Sequence, residues 1–410
     1  MQQTDTGYTI QNFAVEELAK TYGTPLFVYD ASIIDRQIEK LKQAFRHFPH
    51  RINYAAKALT NLAVLKHMKS HNLGLDVVSV NELRMGLDSG FDADDILFTS
   101  NSVSLDEIDQ SIALGVKVNI DSLSLLQRFG QKYGSSEPCS IRLKLDPLVN
   151  EHSGSREWHG HSKFGIHFTH LAEVKTLVDK YGIQITGLHV HNSSGFLDIP
   201  VYLAAAERMF EIAIGFKNLD FIDFGGGITI PFHPNDTVID VEELGSKLAE
   251  KVSEFYKEYG SKPEIWFEPG RFLVSECGYL LTQVTVVRKD RELPYAGTDT
   301  GFNHLLRPKL YDAYHEIVNA GNSGGEKQVY HITGNMCETD FLGKNRSLSK
   351  IEEGHILAIK NAGAYGSCMA SNYNSRVRPA EIMIRNGEAY LIKKRETYED
   401  LIRNQVKVNW

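Results

Sequence analysis

Between about residues 50 and 270 the chain alternates two kinds of apolar pattern. Short, largely apolar runs occur at Arg51–Lys57, Gly74–Ser79, Asp95–Ser100, Val116–Asp121, Cys139–Asp146, Ile183–His191, Asp220–Phe224 and Pro263–Glu268. Between most of them, apolar residues recur every three or four positions, as in Leu62, Leu65 and Met68, or Leu244, Leu248, Val252 and Phe255. A continuous apolar run suits a strand buried on both faces, and a three-four spacing suits a helix with one apolar stripe. Strand followed by helix, repeated, requires a parallel sheet with crossover connections. Eight such units close most economically into a (β/α)8 TIM-type barrel, an α/β fold; an open doubly wound sheet is the alternative.

Beyond Cys277 the pattern changes. Tyr279–Arg288 alternates, and Gln328–Thr333, Ile356–Lys360, Ala380–Arg385 and Glu388–Lys393 are strand-like runs broken by turn residues such as Asn386-Gly387. The early run Pro25–Tyr29 precedes the first barrel unit and can pair with this later sheet. The expected organisation is a barrel over 36–277 and a C-terminal all-β domain, 278–410, that includes the N-terminal segment 1–35.

Composition narrows the function classes. A chain of 410 residues, 42% apolar and 23% charged, can build a full core and is not disordered. Its 44 Lys and Arg against 52 Asp and Glu give a net charge of −8 with no dense basic run, which argues against nucleic acid as a partner. No stretch approaches the roughly 20 apolar residues of a membrane span, and Met1–Ile10 lacks the pattern of a secretion signal. Cys139, Cys277, Cys337 and Cys368 have neither metal-ligand spacing nor the density of a disulfide scaffold. No metal and a reducing cytoplasm are the expectations.

In a barrel the active site lies at the C-terminal ends of the strands. Reactive residue types fall there on six strands: Lys57, then Asp76 and Ser79, Lys144 and Asp146, His191, Gly225-Gly226-Gly227, and Glu268. Lys57 stands among alanines, where an amine is costly unless paired and desolvation brings it toward a usable nucleophile; a solvated lysine is the plainer reading. The triple glycine frees backbone N–H groups to approach an anion, or makes a tight turn. It is not followed by the pattern of a dinucleotide fingerprint. Glu268-Pro269-Gly270-Arg271 is either a surface turn with an ion pair or a carboxylate placed to keep a ring nitrogen protonated. Lysine, anion loop and acidic ring partner are together the parts of a pyridoxal phosphate site.

These residues carry a resemblance over nearly the whole chain, from Gly23-Thr24-Pro25-Leu26-Phe27-Val28-Tyr29-Asp30 onward. Its markers are Tyr54–Ala58, Gly74–Ser79, Lys163-Phe164-Gly165-Ile166, the triple glycine, Glu268–Arg271, Arg307-Pro308 with Tyr311, Cys337–Asp340 and Gly363-Ala364-Tyr365-Gly366. The chain resembles the pyridoxal-phosphate decarboxylases built on an alanine-racemase-type barrel, and within them the diaminopimelate decarboxylase family. The resemblance implies that Lys57 holds the cofactor covalently and shuttles protons, that His191 stacks on its ring, and that Glu268 pairs with its ring nitrogen. Asp76 belongs to the same cofactor site, and Ser194, Gly225, Gly226, Gly227, Gly270, Arg271 and Tyr365 hold the phosphate. Cys337 protonates the carbanion left by carbon dioxide. Cys337 and Glu338 reach the site of a partner subunit, which implies a homodimer. Arg271, Arg307 and Tyr311 read a distal carboxylate, with Glu338 opposite the distal ammonium and Tyr365 beside the substrate. Arg forks suit that task, and the implied reaction converts meso-2,6-diaminopimelate to L-lysine.

The chain departs from the family pattern at the mouth of the site. Asn192-Ser193-Ser194-Gly195 replaces Ile-Gly-Ser-Gln, Lys144-Leu145-Asp146-Pro147 replaces Arg-x-Asn-Pro, and Asn81 stands where Gly is usual. The segment 149–162 carries His152, His159, His161 and Trp158, which suit a lid or substrate-contact loop better than a metal site. A decarboxylase of carboxynorspermidine, of D-ornithine or D-lysine, or of a carrier-bound amino acid is therefore an alternative. A non-catalytic cofactor-binding homologue would not need both Lys57 and Cys337, and a racemase would not need Cys337-Glu338.

Overall fold

The computed structural model describes residues 1–5, 7–145, 163–191, 198–237, 239–289 and 292–410. The chain divides into two compact units, one made of Gln37–Thr229 and Thr237–Phe272, the other of Met1–Arg36, Ile230–Asp236 and Leu273–Trp410.

The first unit is a closed barrel. Its strands are β1 (His50–Ala55), β2 (Gly74–Val77), β3 (Ile96–Phe98), β4 (Lys117–Ile120), β5 (Pro138–Lys144), β6 (Gln184–Val190), β7 (Phe221–Asp223) and β8 (Glu264–Phe267). Every neighbouring pair is parallel, and β8 returns to β1 through Ile265 opposite His50, which closes the ring and excludes the open sheet. The predicted helical spacings form helices Leu62–Ser70 and Val241–Tyr259, with Leu244, Leu248, Val252 and Phe255 buried along the second. Inside the barrel, Phe221 and Trp266 stack with centroids 3.7 Å apart. Gly187 makes room for them, since a Cβ there would lie 2.2 Å from the Phe221 ring.

The strands stop earlier than their apolar runs suggest. Lys57, expected to close the first strand, lies on the 3-10 turn Ala56–Ala58, and Ser79, expected on the second, caps helix Val80–Asp88 by accepting the Glu82 N–H at 3.2 Å. Glu82 in turn accepts from the Val78 N–H at 2.9 Å. Chain that must turn into a crossover helix spends its hydrogen bonds on caps, so it leaves the ladder.

The second unit is sheet-rich. Gly278–Arg288 is its long central strand, flanked by Tyr295–Thr298, by Ile356–Ile359 and by Leu26–Asp30, which lies antiparallel with Tyr29 opposite Gly278. Ala380–Arg385 pairs parallel to Leu26–Asp30 and forms a hairpin with Glu388–Lys393. Leu26, Val28, Tyr279, Leu281, Ala358 and Ile382 pack as its core. Among the described residues no helix is long and apolar enough to cross a membrane.

Candidate active site

The turn after β1 presents Lys57 between buried alanines. Small residues are needed there because Gly270 packs onto them; a Cβ on Gly270 would lie 2.9 Å from that of Ala58 and 3.2 Å from that of Ala55. The Lys57 Nζ donates to Asp76 Oδ2 at 2.6 Å. Asp76, on β2, is fully buried, and its other oxygen has no hydrogen-bond partner. Burial and the nearby charge of Glu268 push its carboxyl up to about 7, against the pull of Lys57.

Past the end of β8, Glu268 is buried with both oxygens engaged. Its Oε2 lies 3.1 Å from His189 Nε2, and its Oε1 accepts from Thr99 Oγ1 at 3.3 Å. Burial alone would raise this carboxyl, but the His189 ring and the charge of Lys57 hold it below the usual carboxylate range. The buried Arg142 of β5 supplies a further positive charge to Glu268, Asp76 and Asp223.

The glycine turn follows β7 and fits between His191 and Glu268. The Gly226 N–H donates to His191 Nδ1 at 3.0 Å, and the Glu268 N–H donates to the Gly225 oxygen at 2.8 Å. A Cβ on Gly225 would lie 2.7 Å from His191 Nδ1, and one on Gly226 2.8 Å from the Glu268 carbonyl oxygen. With φ of +67° at Gly225 and +103° at Gly227, this turn admits little but glycine. Loss of hydration and the charges of Arg142 and Lys57 push the His191 imidazole down to about 3, so it is a neutral, flat ring.

Lys57, Asp76, His191, Gly225–Gly227, Glu268, Gly270 and Arg271 thus belong to the barrel unit. Three residues of this cluster were not singled out from the sequence: His189, Asp223 and Arg142. Each carried a signal. His189 precedes His191 by two, the spacing of one strand face, while Asp223 and Arg142 are charges inside apolar strand runs. Ser194, Asp146, Asn192, Ser193, Gly195 and the loop with His152, Trp158, His159 and His161 lie outside the described residues.

The remaining candidates belong to the sheet-rich unit. Cys337 is exposed, not a core thiol. Its N–H donates to Asn374 Oδ1 at 3.0 Å, its Sγ accepts from Asn374 Nδ2 at 3.2 Å, and the Tyr373 hydroxyl is 3.4 Å from the sulfur and donates to Glu338 Oε1 at 3.0 Å. Hydrogen bonds from Tyr373 and Asn374 pull the thiol down from its ordinary range. Arg307 is buried with its guanidinium 4.6 Å from the Phe232 ring centroid, Tyr311 is exposed, and Tyr365 adopts a φ of +56°.

Comparison with known proteins decides the family. The model of the pyridoxal-dependent decarboxylase, pyridoxal binding domain matches residues 31–275. A diaminopimelate decarboxylase of Methanothermobacter thermautotrophicus is 39% identical over 95% of this chain and 93% of its own length. The chain belongs to the diaminopimelate decarboxylase family. The Haemophilus influenzae member is 34% identical over 95% of both chains. A crystal structure of the M. jannaschii diaminopimelate decarboxylase in complex with L-lysine superposes with a TM-score of 0.91 at 29% identity, covering 99% of this chain and 98% of the other.

The donor set suits the cofactor of a pyridoxal-dependent decarboxylase. A buried carboxylate already held ionised can accept from a protonated ring nitrogen, and a turn with no room for a Cβ at Gly225 or Gly226 lets the backbone approach a phosphate closely. Lys57 supplies the amine.

Proposed function

We propose that this enzyme binds pyridoxal 5'-phosphate on Lys57 and converts meso-2,6-diaminopimelate to L-lysine and carbon dioxide. The observation that carries the reading is the convergence of Lys57, the glycine turn and an ionised Glu268 in one barrel, in a member of this decarboxylase family.

Bound there, pyridoxal phosphate supplies an electron sink for the carbanion formed as carbon dioxide leaves. Lys57 holds the cofactor through its amine and moves protons at Nζ, with Asp76 as its hydrogen-bonded neighbour. Glu268 holds the proton on the ring nitrogen, and His191 offers a neutral face to the ring. Gly225, Gly226, Gly227, Ser194, Gly270, Arg271 and Tyr365 are assigned to the phosphate. The bond from the α-carbon to the carboxylate breaks, its electron pair stays on carbon, and Cys337 returns a proton there. The lowered thiol and its contacts with Tyr373 and Asn374 support a group that exchanges protons.

Arg271, Arg307 and Tyr311 are assigned to the distal carboxylate, and Glu338 to the distal ammonium. Two copies of the chain are proposed to pair, Cys337 and Glu338 of each serving the other. Four cysteines, none of them in a disulfide, are in keeping with a cytoplasmic setting.

The test is carbon dioxide release from a panel of meso-diaminopimelate, carboxynorspermidine, D-ornithine and D-lysine. The highest kcat/KM is expected for meso-diaminopimelate. Preferential turnover of D-ornithine or D-lysine overturns the substrate while leaving the reaction class. Arg307→Ala should raise KM for meso-diaminopimelate by about 10- to 100-fold, the worth of a charged hydrogen bond, with kcat little changed. An unaltered KM removes Arg307 from carboxylate reading.

A further inference from the structure

Asp223 is the last residue of β7, two residues before the first glycine of the turn. It is completely buried. Its Oδ1 accepts the Gly225 N–H at 2.7 Å, while its Oδ2, equally buried, meets no hydrogen-bond donor. One ligand atom each from Asp223, His189 and Glu268 lies within 4.8 Å of the others. Two carboxyl groups so close, both withdrawn from water, do not both ionise.

The surroundings say which of the two keeps the proton. Glu268 has the donors: the His189 ring at one oxygen and the Thr99 hydroxyl at the other. It is the carboxylate. Asp223 has a single donor, on one oxygen only, and its second oxygen is free to carry hydrogen. Asp76, on β2, has Lys57 as its partner, and Arg142 acts on all three acids.

We propose that Asp223 is a neutral carboxylic acid and a positioning residue, its O–H donating to Glu268 while its other oxygen holds the Gly225 N–H. One side chain would then fix both the ring-nitrogen partner and the phosphate turn, so that the two ends of the cofactor cradle are placed together. The assignment of those two ends rests on the functional reading above; the protonation of Asp223 does not. Burial and the charge of Glu268, pushing the Asp223 carboxyl well above its ordinary range, agree with it.

Asparagine is the discriminating substitution. Its amide matches a neutral acid, with an N–H for Glu268 and an oxygen for Gly225, but it cannot replace an anion. The first measurement is an infrared difference spectrum of the unaltered protein against Asp223→Asn at mildly alkaline pH, without cofactor. The expected result is a protonated-carboxyl carbonyl stretch present in the first and missing in the second; no such band overturns the proposal. The second is pyridoxal phosphate affinity by titration. Asp223→Asn should bind about as tightly as the unaltered protein, and Asp223→Ala on the order of 10²-fold more weakly, having lost bonds at both ends. An Asn variant as weak as the Ala variant overturns the proposal too, because it would show that a charge is required. Failure of the unaltered protein to bind pyridoxal phosphate would sink the functional reading, and the infrared band would still decide Asp223.

Discussion

Lys57→Ala is expected to lower kcat by more than about 10³-fold, the loss typical of a group that both bonds and transfers protons. The variant should also lack the visible absorption of lysine-bound pyridoxal phosphate. The turn Ala56–Ala58 brings no second amine, and Arg142, another cation of the cluster, cannot give up its proton to act as a nucleophile. Lys57→Arg should therefore not rescue turnover. A variant that keeps the absorption band would remove Lys57 from its role.

The same substitution has a signature in stability. Asp76 has its carboxyl raised by burial to about 7, so its contribution to stability is full below about pH 4 and is lost as pH rises through about 7. Without the Lys57 ammonium the carboxyl should move higher still, and the decline should continue to higher pH. Thermal midpoints of both proteins across this window check the sign. A variant whose midpoint rises with pH there would contradict the pairing.

Glu268→Gln is expected to cost about 10²- to 10³-fold in kcat, the scale found when a preorganised electrostatic partner is removed. The amide oxygen can still accept from His189 and its NH2 can donate to the Thr99 hydroxyl oxygen, so the packing should survive. What it cannot do is hold negative charge against a ring nitrogen. Stability should change little, because Asp76 loses a repulsive neighbour while the Asp223 O–H loses a charged acceptor. Steady-state kinetics at saturating cofactor separate the two effects, and an undiminished kcat would show that Glu268 has only a structural role.

Much of the barrel was legible because strands buried on both faces leave continuous apolar runs, as at Ile141, Leu143 and Leu188, Val190. The sheet-rich unit was less so. Phe341–Ser349 carries Lys344, Asn345 and Arg346 in mid-strand, and the Gln2–Thr4 strand is polar and exposed, so neither shows an apolar run to read. Lys57, Glu268 and the glycine turn stood out because their residue types are unusual where they occur. His189, Asp223 and Arg142 did not, since a histidine, an acid or an arginine inside a strand gives no sign of its partner across the barrel.

The sequence alone determined the eight-unit barrel and the family and put forward the candidates for the main chemistry, since periodicity and short motifs are properties of neighbours along the chain. Where protons and charges reside was decided only by the tertiary structure. Asp223 and His189 come from two strands and Glu268 from just past a third, and their buried atoms within 4.8 Å of one another hold one proton pattern that their positions along the chain, 34 and 45 residues apart, could not specify. Electrostatic energy depends on distance through space and on the loss of water, and folding sets both.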